Sequence, residues 1–418
     1  MPKLFDYKTD IAIIGAGPAG SSASMFLSKY SISHILFEKD MFPRDKICGD
    51  GLSGKVMGYL EKINPQLKEE IAADNKKFLP SWGARFVAPN GTIIDIPYIS
   101  NGEHLYPPGY VSRRIHFDNF MIDHLNHTYC EFKPNCRITN IEISDDGVYL
   151  SIDENGSAKT CFANMIIDAG GDHSLMARYN GNVNRKPSDI YAGLRQYYRN
   201  VNGTHSANLI EMHFLKETSP GYFWIFPLPD HTANVGIGML SSDIKKNKVN
   251  LRKVFLDAIH KNPDLKIRFK DASPIDDVRG WRLPLGTAAK KLSGGRFLLA
   301  GDAGSLVDPF TGEGIGNAML SGSIAAEIAA KAIEAFNFSA EFLYQYDQRI
   351  EDRLGSEFKL SARLQKLARK TWLINFVIGR IKKSKTLQRM FSEMYDNFTI
   401  RDRLRNPSFY IKLFFNKC

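Results

Sequence analysis

The segment that most narrows the possible folds is the apolar run Asp10-Ile-Ala-Ile-Ile14, followed at once by Gly15-Ala-Gly17-Pro-Ala19-Gly20. A short run of this kind suits a buried parallel strand. Ser21 to Tyr30 then reads as a helix, and His34-Ile-Leu-Phe37 as a second buried strand ending at Glu38. Gly-x-Gly-x-x-Gly between a strand and a helix is the arrangement that cradles a dinucleotide pyrophosphate. Gly15 permits the tight turn, Gly17 lets the phosphates approach the backbone, and Gly20 lets the helix pack on the strand. The N–H groups and dipole of the helix N-terminus favour the anion. Glu38, 18 residues beyond Gly20, is placed to accept bonds from ribose hydroxyls. This motif alone does not separate FAD from NAD.

A second motif follows the apolar run Phe297-Leu-Leu-Ala300: Gly301-Asp302-Ala-Gly-Ser-Leu-Val-Asp-Pro309-Phe-Thr-Gly312-Glu-Gly314-Ile315-Gly316-Asn317. An acid after a strand can bind the ribityl chain of a flavin, and Gly312, Gly314 and Gly316 let backbone approach the isoalloxazine. A helix opening near Ile315 would direct its positive pole at the flavin N1 and O2 edge, where charge develops on reduction. Together the two motifs favour a flavin.

Between and beyond these motifs the pattern changes. Ala84 to Ile96 reads as two strands joined by Pro89-Asn-Gly91, and Arg137 to Phe162 as hairpins with turns at Asp146-Gly147 and Asn155-Gly156. Met165-Ile-Ile-Asp168 is another buried strand, residues 188–240 alternate with abundant aromatics, and the chain beyond Ser339 is helical and basic. The expected fold is α/β with α+β insertions. Its parts are a discontinuous Rossmann-type FAD-binding domain (1–75, 105–185 and 280–335), a substrate-binding β-sheet domain (76–104 and 186–279) and a helical C-terminal region (336–418).

Composition excludes more than it selects. With 43% hydrophobic and 24% charged residues, the 418-residue chain has an ordinary globular balance. A net charge of +10 suits an anionic cofactor or a membrane surface. No nucleic-acid motif accompanies it, so nucleic acid is not an expected partner. Five cysteines (Cys48, Cys130, Cys136, Cys161 and Cys418) at irregular spacing, with no Cys-x-x-Cys, read as free thiols in a reducing compartment, and no metal site is expected. Without a signal peptide or a long apolar run, the expected location is cytoplasmic, with peripheral membrane contact through the amphipathic basic stretch Arg363 to Lys385. The competing reading of that stretch packs its apolar side on the catalytic domain.

Four stretches resemble the geranylgeranyl reductase family, within the p-hydroxybenzoate-hydroxylase-like flavoproteins. They are the first glycine loop, Phe42-Pro-Arg-Asp-Lys-Ile-Cys48-Gly49-Asp-Gly-Leu52, Pro220-Gly-Tyr222-Phe-Trp224-Ile-Phe226-Pro227, and Gly301 to Asn317. Val111-Ser-Arg-Arg114-Ile-His-Phe-Asp118 resembles the family segment whose arginine contacts the flavin. The resemblance implies cofactor contacts at Gly15, Gly17, Ala19, Gly20, Glu38, Lys39, Cys48, Gly49, Arg114, Gly171, Asp302, Pro309, Gly312, Gly314 and Ile315. It also implies a substrate wall of Tyr222, Trp224 and Phe226. Alternate aromatics on one strand face build a flat apolar surface, although an aromatic core strand has the same pattern. Cys48, Tyr222 and Trp224 are the catalytic candidates, with Cys48 either a proton donor or a small buried residue. Gly170 stands where related hydroxylases carry an Asp that places flavin and nicotinamide. The electron donor is thereby left open between NADPH and a ferredoxin-type protein.

The implied activity is saturation of carbon–carbon double bonds in a polyprenyl or related hydrophobic substrate, by hydride from reduced FAD. The alternatives are a flavin-dependent monooxygenase or halogenase acting on an aromatic substrate, and a prenyl-binding carrier without catalysis. Halogenases usually show Gly-Trp-x-Trp-x-Ile-Pro where this chain has Gly221-Tyr222-Phe-Trp224-Ile-Phe226-Pro227, which favours the reductase.

Overall fold

A computed structural model describes residues 4–98, 106–181, 185–287 and 290–396. The end of the expected helical region, 397–418 with Cys418, lies outside the described residues. The chain forms two compact units. The first comprises residues 1–46, 114–185 and 283–358, and the second 47–113, 186–282 and 359–418.

The first unit is built on a mainly parallel sheet in the order Ser293–Gly294, Phe297–Leu299, Ser157–Asp168, Tyr7–Ile14, His34–Phe37, Cys130–Lys133. The four central pairings are parallel, and the edge strand Ser293–Gly294 runs antiparallel. Val148–Glu154 adds an antiparallel pair with Cys136–Ile143 and with the first half of Ser157–Asp168. The expected turn at Asn155-Gly156 is present, with both residues at positive φ, as a two-residue hairpin turn requires. The core joins Ala12, Ile35 and Phe37 to Val148, Leu150, Ile166 and Leu299.

Two helices of this unit cross at unusually short range. Pro18–Lys29 and Ile315–Glu334 meet where a Cβ on Gly322 would lie 2.2 Å from the Ala19 carbonyl oxygen. The Ser22 hydroxyl donates to the Met319 carbonyl at 3.0 Å across the same contact. The small residues of the second helix are therefore a packing requirement. Residues 336–358 belong to this unit because Tyr346 donates to the Leu299 carbonyl at 2.8 Å and Asp347 accepts from the Leu292 amide at 2.7 Å.

The second unit carries a sheet ordered Ser273–Pro274, Ile190–Arg199, Thr232–Leu240, Tyr222–Leu228, Ile210–His213, Gly83–Val87, Ile93–Pro97. One of its faces packs on the helices Leu251–Lys261 and Pro263–Arg268 through Phe223, Ile225, Val235, Ile237, Phe255 and Ile259. Glu211 is fully buried and pairs with Arg268 and His213. Desolvation would raise its carboxyl pKa, but bonds from His213 and Arg268 hold it below the ordinary range. The segment 47–75, expected with the nucleotide domain, lies in this unit because Gly51–Leu52 pairs with Gly109–Val111, which also pairs with Leu79–Ser81. The helix Thr371–Lys383 buries Ile378 and Ile381 in a cluster with Ile94, Ile96 and Phe214, and Ile374 and Val377 pack beside them.

Replacing Gly322 by Val should lower stability by about 1–3 kcal/mol, because the two helices must separate. Gly58, inside the helix Gly54–Ile63, has nothing within 4 Å of an added Cβ. Gly58→Ala should therefore raise stability by up to about 1 kcal/mol. Denaturant unfolding of the FAD-loaded protein followed by circular dichroism reads both signs.

Candidate active site

The glycine loop of the first unit has the geometry its sequence demands. Gly15 has φ +92°, its amide donates to the Phe37 carbonyl at 2.8 Å, and a Cβ would approach the Ala169 oxygen to 2.6 Å. A Cβ on Gly20 would lie 1.8 Å from the Gly15 oxygen. Gly17 differs: a Cβ there would meet only guanidinium nitrogens, Arg44 Nη2 at 3.7 Å and Arg114 Nη2 at 4.0 Å. The loop thus has room beside two guanidinium nitrogens, next to the start of a helix with no acid in its first turn.

Asp118 organises these cations. Arg114, almost fully buried, donates to it from Nε at 2.5 Å and Nη2 at 2.6 Å. Arg44 donates from Nη1 at 2.9 Å. Glu38 is buried, accepts from the Ala16 amide at 2.9 Å and the Asp40 amide at 3.1 Å, and lies 3.6 Å from Arg44. Lys39 is half-exposed and lies 3.9 Å from Asp40. Ala19 is buried in the helix crossing. Arg44 and Asp118 were not among the residues singled out from sequence, although both sit inside the stretches that carry the family resemblance.

The second motif closes on the same unit. Asp302 lies in the short turn Gly301–Gly304, its carboxylate 3.8 Å from Lys46 and 3.9 Å from where a Gly314 Cβ would sit. Asp308 shapes the loop carrying Pro309 and Gly312, accepting from the amides of Phe310 at 2.9 Å and Thr311 at 2.8 Å. The helix beginning at Ile315 has no acid in its first turn. Gly171 has φ +72°. At Gly170 a Cβ would lie 2.9 Å from Asp168 Oδ1. The fully buried Asp168 carboxylate folds back to accept from the Gly170 amide, the Ser174 hydroxyl and the Met176 amide. Burial pushes its pKa up, against these three bonds. An open loop flanked by two arginines and a ribose-competent carboxylate fits a dinucleotide.

The remaining candidates lie together in the second unit. On the strand Tyr222–Leu228, Trp224 is buried while Tyr222 and Phe226 are half-buried. Ring centroids are 6.2 Å apart for Tyr222–Trp224 and 6.4 Å for Trp224–Phe226. Phe223 and Ile225 face the opposite way, into the helix-packed core. The Cys48–Gly51 segment crosses this wall: a Cβ on Gly49 would lie 3.4 Å from Phe226 and 3.8 Å from Trp224 Nε1. Cys48 is half-buried. In the first unit, burial raises the thiol pKa of Cys130 and Cys136 to about 11 and that of Cys161 to about 12.

Residues 8–348 match the FAD binding domain family. Digeranylgeranylglycerophospholipid reductase of Methanococcus vannielii is 30% identical, over 86% of this chain and 87% of that protein. The chain belongs to the geranylgeranyl reductase family of FAD-dependent oxidoreductases. The fold is shared with a geranylgeranyl bacteriochlorophyll reductase-like protein from Thermoplasma acidophilum, at TM-score 0.79 and 23% identity over 96% of this chain and 99% of that one. It is also shared with a flavin-dependent brominase, at TM-score 0.74 and 19% identity over 95% and 98%. The halogenase likeness is one of fold, and membership of the reductase family decides between the two activities weighed from sequence.

For this family member, Gly17→Asp should abolish FAD retention while leaving the fold intact, because the new carboxylate takes the anion's place beside Arg44 and Arg114. Arg114→Ala should weaken FAD affinity about 10- to 100-fold, as expected for one charge-assisted hydrogen bond. Flavin fluorescence titration of the apoprotein measures both.

Proposed function

We propose that this enzyme saturates carbon–carbon double bonds in the isoprenoid chains of a lipid, and that the Gly15 loop, Glu38, Arg44, Arg114 and the Asp302–Ile315 segment hold its FAD. The carrying observation is the three-ring face of Tyr222, Trp224 and Phe226, crossed by a segment that bears a thiol. Curated relatives named for lipids with geranylgeranyl chains support the substrate class. When bound, FAD supplies the hydride for one alkene carbon. An isolated alkene accepts hydride poorly, so a proton must be held ready for the other carbon in a site that excludes water. Cys48 is the group proposed to hold that proton at Sγ, with the Tyr222 hydroxyl second. The aromatic face orients the chain through shape and dispersion, since a hydrocarbon offers no polar handle. Reducing equivalents come from an external donor, NADPH or a ferredoxin-type protein.

The test is anaerobic incubation of the dithionite-reduced protein with prenyl diphosphates, prenyl lipids and quinones, read by mass spectrometry. A gain of two hydrogens per saturated bond is expected with prenyl chains; no mass change with any of them would sink the reading. Cys48→Ser should lower turnover by about 10²-fold or more, with the bound-flavin spectrum unchanged.

We also propose that the C-terminal helices reach the membrane where such a substrate resides. Among the described residues no helix is long and apolar enough to cross one. Ile374, Val377, Ile378 and Ile381 are committed to packing on the sheet, so the contact falls to the 61%-exposed Trp372 and to Lys366, Lys370, Lys382, Lys383 and Lys385. Flotation with anionic vesicles should show salt-sensitive binding that Trp372→Ala weakens. Absence of binding at low salt would refute the contact.

A further inference from the structure

We propose that Asn234 is a positioning residue for this reduction, acting through Trp224 and the Cys48 main chain. The proposal rests on the alkene-reductase reading of the aromatic face. Asn234 lies on the strand Thr232–Leu240, directly opposite Phe226, and is fully buried. A primary amide offers two N–H donors and one carbonyl oxygen. Asn234 Nδ2 donates to the Cys48 carbonyl at 2.7 Å and to Asp50 Oδ2 at 2.8 Å, and Oδ1 accepts from Trp224 Nε1 at 2.9 Å. Both amide hydrogens and the oxygen are engaged, so the amide has only one workable orientation. A flip would set its oxygen against two acceptors and its NH₂ against the indole N–H.

The acceptor that fixes this orientation is itself fixed. Asp50 is buried at φ +66°, its carbonyl accepts from the Ser112 amide at 3.0 Å, and Oδ2 also accepts from the Tyr197 hydroxyl at 2.7 Å. The guanidiniums of Arg113 and Arg195 lie 4.5 and 3.9 Å from the Tyr197 ring centroid. At the far end, the indole lies across Gly236, where a Cβ would meet Trp224 Cζ2 at 2.1 Å. One side chain therefore sets both the plane of the central ring and the place of the segment bearing Cys48. Because the substrate is a hydrocarbon, the distance between its alkene and the proton donor depends on these two elements. A misplacement of about 1 Å can cost about 10²-fold in rate.

Asn234→Leu removes all three bonds at similar volume, and Trp224→Phe removes the indole N–H, with some ring volume, while keeping an aromatic ring. In the dithionite-reduced holoenzyme acting on a prenyl lipid, Asn234→Leu should lower kcat by about 10²-fold with KM little changed. In the Trp224→Phe background the same change should cost about tenfold less than in the natural protein, the remaining loss being the part carried by the Cys48 carbonyl. Indole ¹⁵N–¹H spectra of the holoenzyme, with the Trp224 signal assigned by its loss in Trp224→Phe, supply a readout independent of substrate. That proton should exchange slowly in the natural protein and rapidly in Asn234→Leu. An unshifted Trp224 signal in Asn234→Leu, or an equal fall in kcat in both backgrounds, overturns the proposal. Should Asn234→Leu not fold, the natural protein decides: a Trp224 indole proton that exchanges slowly supports the tie, and one that exchanges as fast as an exposed indole overturns it. If the natural protein reduces no prenyl chain, the function proposed above fails, while the indole spectrum still shows whether Asn234 holds the ring.

Discussion

The backbone of Gly20 rests against the carbonyl of Gly15 so closely that a Cβ would stand 1.8 Å from that oxygen. This contact sets where the first helix begins and how near its N-terminus comes to the strand behind it. Much of the first unit follows from it. The same helix meets Ile315–Glu334 backbone to side-chain-free backbone at Gly322, so two helices and two loops share one small volume. Such approaches gain dispersion contact and lose no side-chain entropy, but they tolerate no added atoms. Glycine and alanine are retained here for space as much as for backbone freedom.

Charge is layered onto that packing. Arg44 and Arg114 share one carboxylate, Asp118, which is fully buried. With Glu38 3.6 Å from Arg44, two carboxylates balance the two guanidiniums whose Nη2 atoms border Gly17. Removing either partner of such a buried pair typically costs about 3–5 kcal/mol, since the other is left without compensation. A dinucleotide phosphate placed there would accept from those Nη2 atoms, which would couple cofactor retention to the stability of this region.

The second unit draws two different faces from the period of a strand. Along Tyr222–Leu228, the even-numbered aromatics form one face while Phe223 and Ile225 pack into the core on the other. A one-residue slip in register would exchange the wall for the core. The pairing of Trp224 with Gly236 guards against this, because only a residue without a side chain accepts the indole across it.

Local rules made much of this legible from sequence: the glycine loop, the Asn155-Gly156 turn, the alternation along Tyr222–Leu228 and the small residues after Gly314 each follow from neighbours within a few positions. Segment 47–75 was harder, since its allegiance rests on the pairing of Gly51–Leu52 with a strand about Tyr110. Arg44 and Asp118 are 74 residues apart, and Asn234 meets the Cys48 carbonyl across 186. None of these polar residues has a period or flanking signal to mark it, because hydrogen bonds between distant segments leave no trace in local spacing. Sequence by itself determined the family, the flavin fold and the aromatic strand, through backbone conformations and side-chain periodicities that are local. The tertiary structure decided which cations surround the glycine loop, which thiol lies at the aromatic face and which amide bonds the indole, because each depends on burial and direction that chain folding alone creates.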